Sequence, residues 1–102
     1  MIITTTPTIE GKRIVEYKGL VFGEAVVGSH SGSFLRDAVA GITSKGSGIE
    51  SKLDETRSVA IAEMKERAGA LGANALVGVT VEYEQLVGFL MISTSGTAVV
   101  VE

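Results

Sequence analysis

Apolar residues recur at three- to four-residue steps through the middle of the chain and alternate with polar ones after residue 75, so strands should flank a helical centre. Ile2 to Thr5 is β-rich, and Pro7 stops it. After a turn at Gly11-Lys12, Arg13 to Gly28 reads as one long strand carrying Ile14, Val15, Tyr17, Leu20, Val21, Phe22, Val26 and Val27. Gly19 and Gly23 interrupt it and predict a bend or bulge. Around Phe22 apolar residues fall on both faces, which predicts burial on two sides. The segment Gly28-Ser29-His30-Ser31-Gly32-Ser33 breaks the strand with helix-start chemistry, because a Ser31 or Ser33 hydroxyl can cap free N–H groups. A short helix should then run to about Ile42, with Phe34, Leu35, Ala38, Val39 and Ile42 on one face and Arg36 and Asp37 on the other.

A Gly/Ser connector, Gly41 to Gly48, leads into a longer helix from about Ile49 to Leu71. Its apolar stripe is Ile49, Leu53, Ala60, Met64, Ala68 and Leu71, and Gly72 sits where a left-handed cap belongs. From Ala75 to Glu84, Ala75, Val77, Val79, Val81 and Tyr83 should face one way, and Gly78, Thr80, Glu82 and Glu84 the other. A turn near Gln85–Gly88 opens the last strand, Phe89 to Val101, with Gly96 read as a bulge. The order strands, helix, helix, hairpin predicts an α+β domain: a mostly antiparallel sheet with two helices on one face.

Composition changes this picture in one respect. The chain has 102 residues, enough for a single domain spanning 1–102. Yet 45% of them are hydrophobic and only 21% charged, with a mean hydropathy of +0.36. A domain this small has much surface to cover with polar groups, so the excess predicts a surface buried by a second copy or a partner. Net charge is −3 and no Lys/Arg cluster stands out, which argues against nucleic acid as a partner. The absence of cysteine excludes disulfides, a thiolate nucleophile and a Cys-based zinc site. Met1 to Pro7 lacks the charged and apolar regions of a signal peptide, and no apolar run approaches a membrane span, so a cytoplasmic protein without a membrane partner is expected.

Several separated motifs agree in order with a known family. Gly28-Ser29-His30-Ser31, Phe34-Leu35-Arg36-Asp37 and Ala40-Gly41-Ile42-Thr43 are followed by Ala70-Leu71-Gly72-Ala73-Asn74-Ala75 and the tail Ser93-Thr94-Ser95-Gly96-Thr97-Ala98-Val99. With the opening Thr6-Pro7-Thr8-Ile9-Glu10-Gly11, the chain resembles the bacterial YbjQ-like family over nearly its whole length. The resemblance implies a small α+β subunit that assembles into a ring, a pentamer. The family's function is uncharacterised, and its members often carry a heavy-metal-binding description.

The candidate chemistry is sparse. Gly28-Ser29-His30-Ser31-Gly32 imitates a nucleophile elbow, but His stands at the centre, and His30 is the only histidine, so no second one can serve as base. Its simplest reading is a strand-to-helix turn with serine caps. The next is a small-anion site at that helix start, with Ser29, His30, Ser31, Arg36 and Asp37 as the candidate ligand-binding residues. One His and no Cys cannot make a tight transition-metal site within one chain, even if Glu24 and Asp37 add oxygen ligands, so no metal site and no cofactor are expected. Gly46-Ser47-Gly48-Ile49-Glu50-Ser51 echoes a dinucleotide loop but joins two helices, and Lys45 precedes Gly46 rather than following it as a P-loop lysine would. Glu82 and Glu84 lie on the polar face of a strand, facing water or a channel in a ring.

These observations favour a non-enzymatic assembly or binding module that is its own partner and takes an unidentified small ligand. One alternative is an enzyme whose site at the His30 turn is completed across a subunit interface; another is a metal-handling protein. The expected contacts between copies are the hairpin tip, with Leu86, Val87 and Phe89, and the β-rich tail Ala98–Val101, which would be a sticky edge if left bare.

Overall fold

Three long strands and one helix organise the described fold. The computed structural model describes residues 1–27 and 47–102, with the backbone alone for 47–50. In chain order the elements are β1 (Ile2–Ile3), β2 (Ile14–Val27), α1 (Ser47–Ala70), β3 (Ala75–Leu86) and β4 (Phe89–Val101). The architecture is α+β, and the four-stranded sheet has the order β1-β3-β4-β2. It is mixed: β4 runs antiparallel to both β2 and β3, while β1 is parallel to β3. Among the described residues α1 is the one helix. The short helix expected up to Ile42 and the connector up to residue 46 lie outside the described residues. Ser47 and Gly48, expected in that connector, already belong to α1.

The tail is not an edge. β4 is the centre of the sheet, paired with β2 from Ile14↔Val101 to Val27↔Leu90 and with β3 from Ala75↔Val99 to Leu86↔Phe89. Its N–H and C=O groups are taken up on both sides, which corrects the expectation of a bare Ala98–Val101 strand. Ala98 and Val99 are fully buried because one points toward the helix and the other away from it, into two separate apolar clusters.

The helix sits on one face of the sheet, chiefly over β2. Its buried stripe is Thr56, Ala60, Met64 and Ala68, one residue every fourth position. Leu71, expected on that stripe, is exposed, because the chain turns away at Gly72. Gly72 has φ +86°; its N–H bonds to the Gly69 carbonyl at 3.0 Å and the Ala73 N–H to the Ala68 carbonyl at 3.1 Å. These two bonds satisfy carbonyls that the helix end would otherwise leave free. Met64 and Ala68 pack with Val21, Leu76, Val79 and Ala98 in the main core.

Gly23 decides how close the helix comes. A Cβ at that position would lie 1.9 Å from the Ala60 carbonyl oxygen and 2.9 Å from the Met64 nitrogen, so helix backbone rests on strand backbone. Gly23 is therefore a contact point, not the bulge its place in the sequence invited. The irregularities of β2 fall earlier, between Ile14 and Glu16 and between Tyr17 and Gly19, where Gly19 has φ +122°.

A third irregularity changes the faces of β3. Between Val77 and Thr80 the strand carries one extra residue relative to Gly96, with Gly78 at φ +60°. The bulge lies in β3, not at Gly96 as expected, and Gly96 makes room for Val79. The extra residue flips the alternation. Ala75 and Val77 join Val99 and Val101 on the side away from the helix, where Ile9 and Ile14 cover them. Leu76 and Val79 face the helix. The single alternating face expected from Ala75 to Tyr83 is thus two faces joined at Gly78. Beyond it, β3 and β4 pair regularly to Leu86↔Phe89, so the turn is only Val87-Gly88.

Two substitutions test this packing. Met64→Asp places an unpaired charge in the core and should abolish soluble folded protein; normal yield with unchanged melting would show that the helix phase is wrong. Gly23→Ala should push α1 off β2 and cost at least about 1–3 kcal/mol, the range for overpacking a tight contact. Urea denaturation reads it as a lower midpoint, and an unchanged midpoint would contradict the contact.

Candidate functional site

The face of the sheet away from α1 carries a candidate site. The pairing registers set its side chains in rows across three strands. Phe22, Ser95 and Thr80 form one row, Glu24, Ser93 and Glu82 the next, and Val26, Met91 and Glu84 a third. In the first two rows the central strand carries serines, because β4 places Ser93, Ser95 and Thr97 at alternate positions on one face. Phe22, Glu24 and Glu82 flank them with longer side chains, and Thr80 adds a further hydroxyl. The result is a trough with a hydroxyl floor, an open depression of about 310 Å³ lined by Phe22, Glu24, Thr80, Glu82, Met91 and the serines of β4.

Its electrostatics are acidic. Glu24 and Glu82 stand on either side of Ser93, their backbones roughly 9.5 Å apart, two strand spacings. The described ion pairs are Arg13–Glu102, Lys18–Glu16, Arg57–Asp54 and Arg67–Glu63, and neither trough carboxylate belongs to one. On the floor the Thr80 and Ser95 hydroxyls share a hydrogen bond of 2.9 Å. The trough offers hydrogen-bond acceptors and a negative potential, so it suits neutral or cationic polar groups and repels anions. Ser95 is engaged with Thr80, not with a base, so the described hydrogen bonds activate no nucleophile here.

Two other sets of described polar groups have partners within the fold. The Arg57 guanidinium donates to the Tyr83 hydroxyl at 2.7 Å and also pairs with Asp54. Tyr83 first, and Asp54 after it, raise the arginine's pKa. The Asn74 amide donates to the Val101 carbonyl at 3.0 Å and accepts from its N–H at 2.8 Å, completing the pairing of β4 where β3 has not yet begun.

The ligand-binding candidates Ser29, His30, Ser31, Arg36 and Asp37 all lie outside the described residues, so the structure neither brings them together nor separates them. Glu24, considered beside His30 as an oxygen ligand, stands on the trough. Glu82 and Glu84 lie on the exposed face away from the helix, as their alternation indicated. The partners that make Glu82 part of a site were not legible from its own strand. The available signal was the Ser93, Ser95, Thr97 alternation of β4, a strand with hydroxyls where a core strand would carry aliphatics.

A family model described as "Putative heavy-metal-binding" matches residues 1–102. The chain belongs to this YbjQ-like family. A UPF0145 protein of Listeria grayi is 52% identical over 109 aligned positions and covers 100% of both chains. A UPF0145 protein of Acetivibrio thermocellus is 50% identical, again over 100% of each. A crystal structure of a Pediococcus pentosaceus protein of unknown function, from the DUF74 family, superposes with a TM-score of 0.68 over 100% of this chain and 98% of that one. At 20% identity that likeness bears on the fold alone.

The family description raises the question of metal. Heavy metals are held by thiolate and imidazole ligands. This YbjQ-like chain has no Cys and a single His. Among the described residues no three His, Cys, Asp or Glu side chains converge on a common point. The described residues therefore do not fit a heavy-metal site. Calorimetric titration of metal-free protein with Zn²⁺, Cu²⁺ or Ni²⁺ should give weak, non-stoichiometric heats; tight binding of defined stoichiometry would restore the metal reading.

Proposed function

We propose that this YbjQ-like protein is a non-enzymatic, homo-oligomeric binding module of the cytoplasm: a ring of copies, five by family resemblance, that presents a small-ligand site. One observation carries this reading. Among the described residues no element covers the sheet face away from α1 beside the trough, and there Tyr17 is 71%, Leu20 70% and Phe22 50% exposed. A β-sheet is stable in water when its apolar face is buried against another layer. The sequence composition already called for such a layer, and a second copy supplies it without any further component.

Two further observations support the proposal. At the hairpin tip Val87 is 99% exposed, in a two-residue turn whose usual occupants are polar. A contact between unlike surfaces of successive copies closes into a ring when the rotation allows it, whereas a like-to-like contact gives a twofold dimer. Among the described residues no helix is long and apolar enough to cross a membrane. The small ligand belongs in the trough over Ser93, whose carboxylates and hydroxyls favour a polar, non-anionic molecule.

Light scattering coupled to size exclusion at micromolar concentration tests the assembly. The expected result is one stable species several subunits in mass, and a monodisperse monomer would overturn the proposal. In Leu86→Lys with Phe89→Lys, loss of the assembly places the hairpin tip in the interface. Its survival keeps the ring and removes the tip from it.

A further inference from the structure

A sheet with two open edges is a template for unlimited growth, because the edge of one copy can pair with the opposite edge of the next. Among the described residues the two edges are β2 on one side and, past β1, β3 on the other. Both strands run antiparallel to β4 and therefore parallel to each other. Head-to-tail growth would accordingly lay β3 of a second copy parallel against β2.

The β3 edge is receptive. Thr4 and Thr6 cover it as far as Val79 through the bonds Thr4 N–H to Leu76 O, Gly78 N–H to Thr6 O and Val79 N–H to Thr4 O. From Val81 to Leu86 it is regular, with no backbone partner among the described residues on its outer side.

The β2 edge is different. Its first half is broken by the two register shifts between Ile14 and Gly19. In its second half two side chains of α1 reach around the edge. Arg67 Nη1 donates to the Phe22 carbonyl at 2.8 Å, and Glu63 Oε1 accepts the Glu24 N–H at 3.1 Å. The two side chains also pair with each other at 3.2 Å. In a parallel ladder one residue of the incoming strand donates to the carbonyl of residue i and accepts from the N–H of residue i+2. The Arg67 donor and the Glu63 acceptor meet Phe22 and Glu24 in that pattern. One ion pair thus occupies the place of one residue of a parallel neighbour.

We infer that the Glu63–Arg67 pair is an edge plug: it closes β2 against the Val81–Leu86 edge of a second copy and so prevents head-to-tail polymerisation of the sheet. Closing one edge is enough, because open-ended growth consumes both edges at every step. The plug acts whether the native protein is a ring or a monomer, so it stands or falls separately from the proposed assembly.

The test is Glu63→Ala with Arg67→Ala, read by light scattering, electron microscopy and hydrogen exchange. The expected result is polymers larger than any wild-type species, growing with concentration, and exchange at the Glu24 amide about tenfold faster before they form. Adding Gln85→Pro should return the double variant to wild-type size. The Phe22 and Glu24 groups point outward from β2, so alternation across β4 leaves Val81, Tyr83 and Gln85 with the outward groups of β3. Proline at 85 therefore removes an edge donor without removing a bond to β4. Glu63→Gln, which keeps the acceptor, should retain wild-type size. A folded double variant with wild-type size and exchange would overturn the inference, as would polymers that persist with Gln85→Pro. If the double variant does not fold, the single substitutions Glu63→Ala and Arg67→Ala decide the matter by the same readings, since each frees one backbone group.

Discussion

At Gly23 the backbone of the sheet meets the backbone of the helix, and much of the described packing follows from that contact. With no side chain between them, α1 settles onto β2 close enough for the Thr94 hydroxyl to lie 3.3 Å from the Gly23 carbonyl and 3.5 Å from that of Ala60. Only small residues can line such an approach, and Ala60 and Ala68 flank Met64 on the buried stripe. Met64 supplies the bulk that the alanines lack. Its flexible, unbranched chain suits the gap between a close-packed helix and a twisted sheet. The tight seat also lets Glu63 and Arg67 reach the rim of β2.

Strand pairing in this protein is completed repeatedly by side chains that take the place of backbone. Asn74 does so at the end of β4, where its amide both donates to and accepts from Val101. Glu63 and Arg67 do so on the rim of β2. A buried or edge-lying peptide group needs a partner, and an amide or a charged pair offers donor and acceptor at nearly the spacing of a peptide. The device costs little chain length, which matters in a domain of 102 residues.

The trough and the apolar patch of β2, which no described element covers, share one face, and along that face β4 changes character. At Val99 and Val101 it contributes aliphatics to a cluster that Ile9 and Ile14 cover. At Ser93 and Ser95 it contributes hydroxyls to a floor left open between Glu24 and Glu82. The covered end anchors the sheet, and the other end is where the proposed ligand and the proposed contact between copies would meet. That proximity joins the two halves of the proposed function, since a second copy seated on Leu20 and Phe22 would form one wall of the trough.

The described elements were legible in the chain. The four-residue steps of Ala60, Met64 and Ala68 marked α1, Gly72 marked its end, and the β-rich runs from Ile14 and Ala75 marked the strands, because each of these signals is local and follows from backbone geometry. The family, too, was readable from motifs in order. Three things depended on tertiary contacts. A bulge adds one residue opposite Gly96 and reverses the faces of β3, and nothing in the alternation of Val77, Val79 and Val81 marks where the count breaks. The place of β4 at the centre of the sheet depends on which strand pairs with which, and a sticky tail and a central strand have the same composition. The trough belongs to residues far apart in sequence, Glu24 on one strand and Glu82 on another, and only the registers across Ser93 make them neighbours. Sequence periodicity reports which way a side chain points within its own element; which elements lie side by side is decided by long-range pairing, to which every residue of both strands contributes.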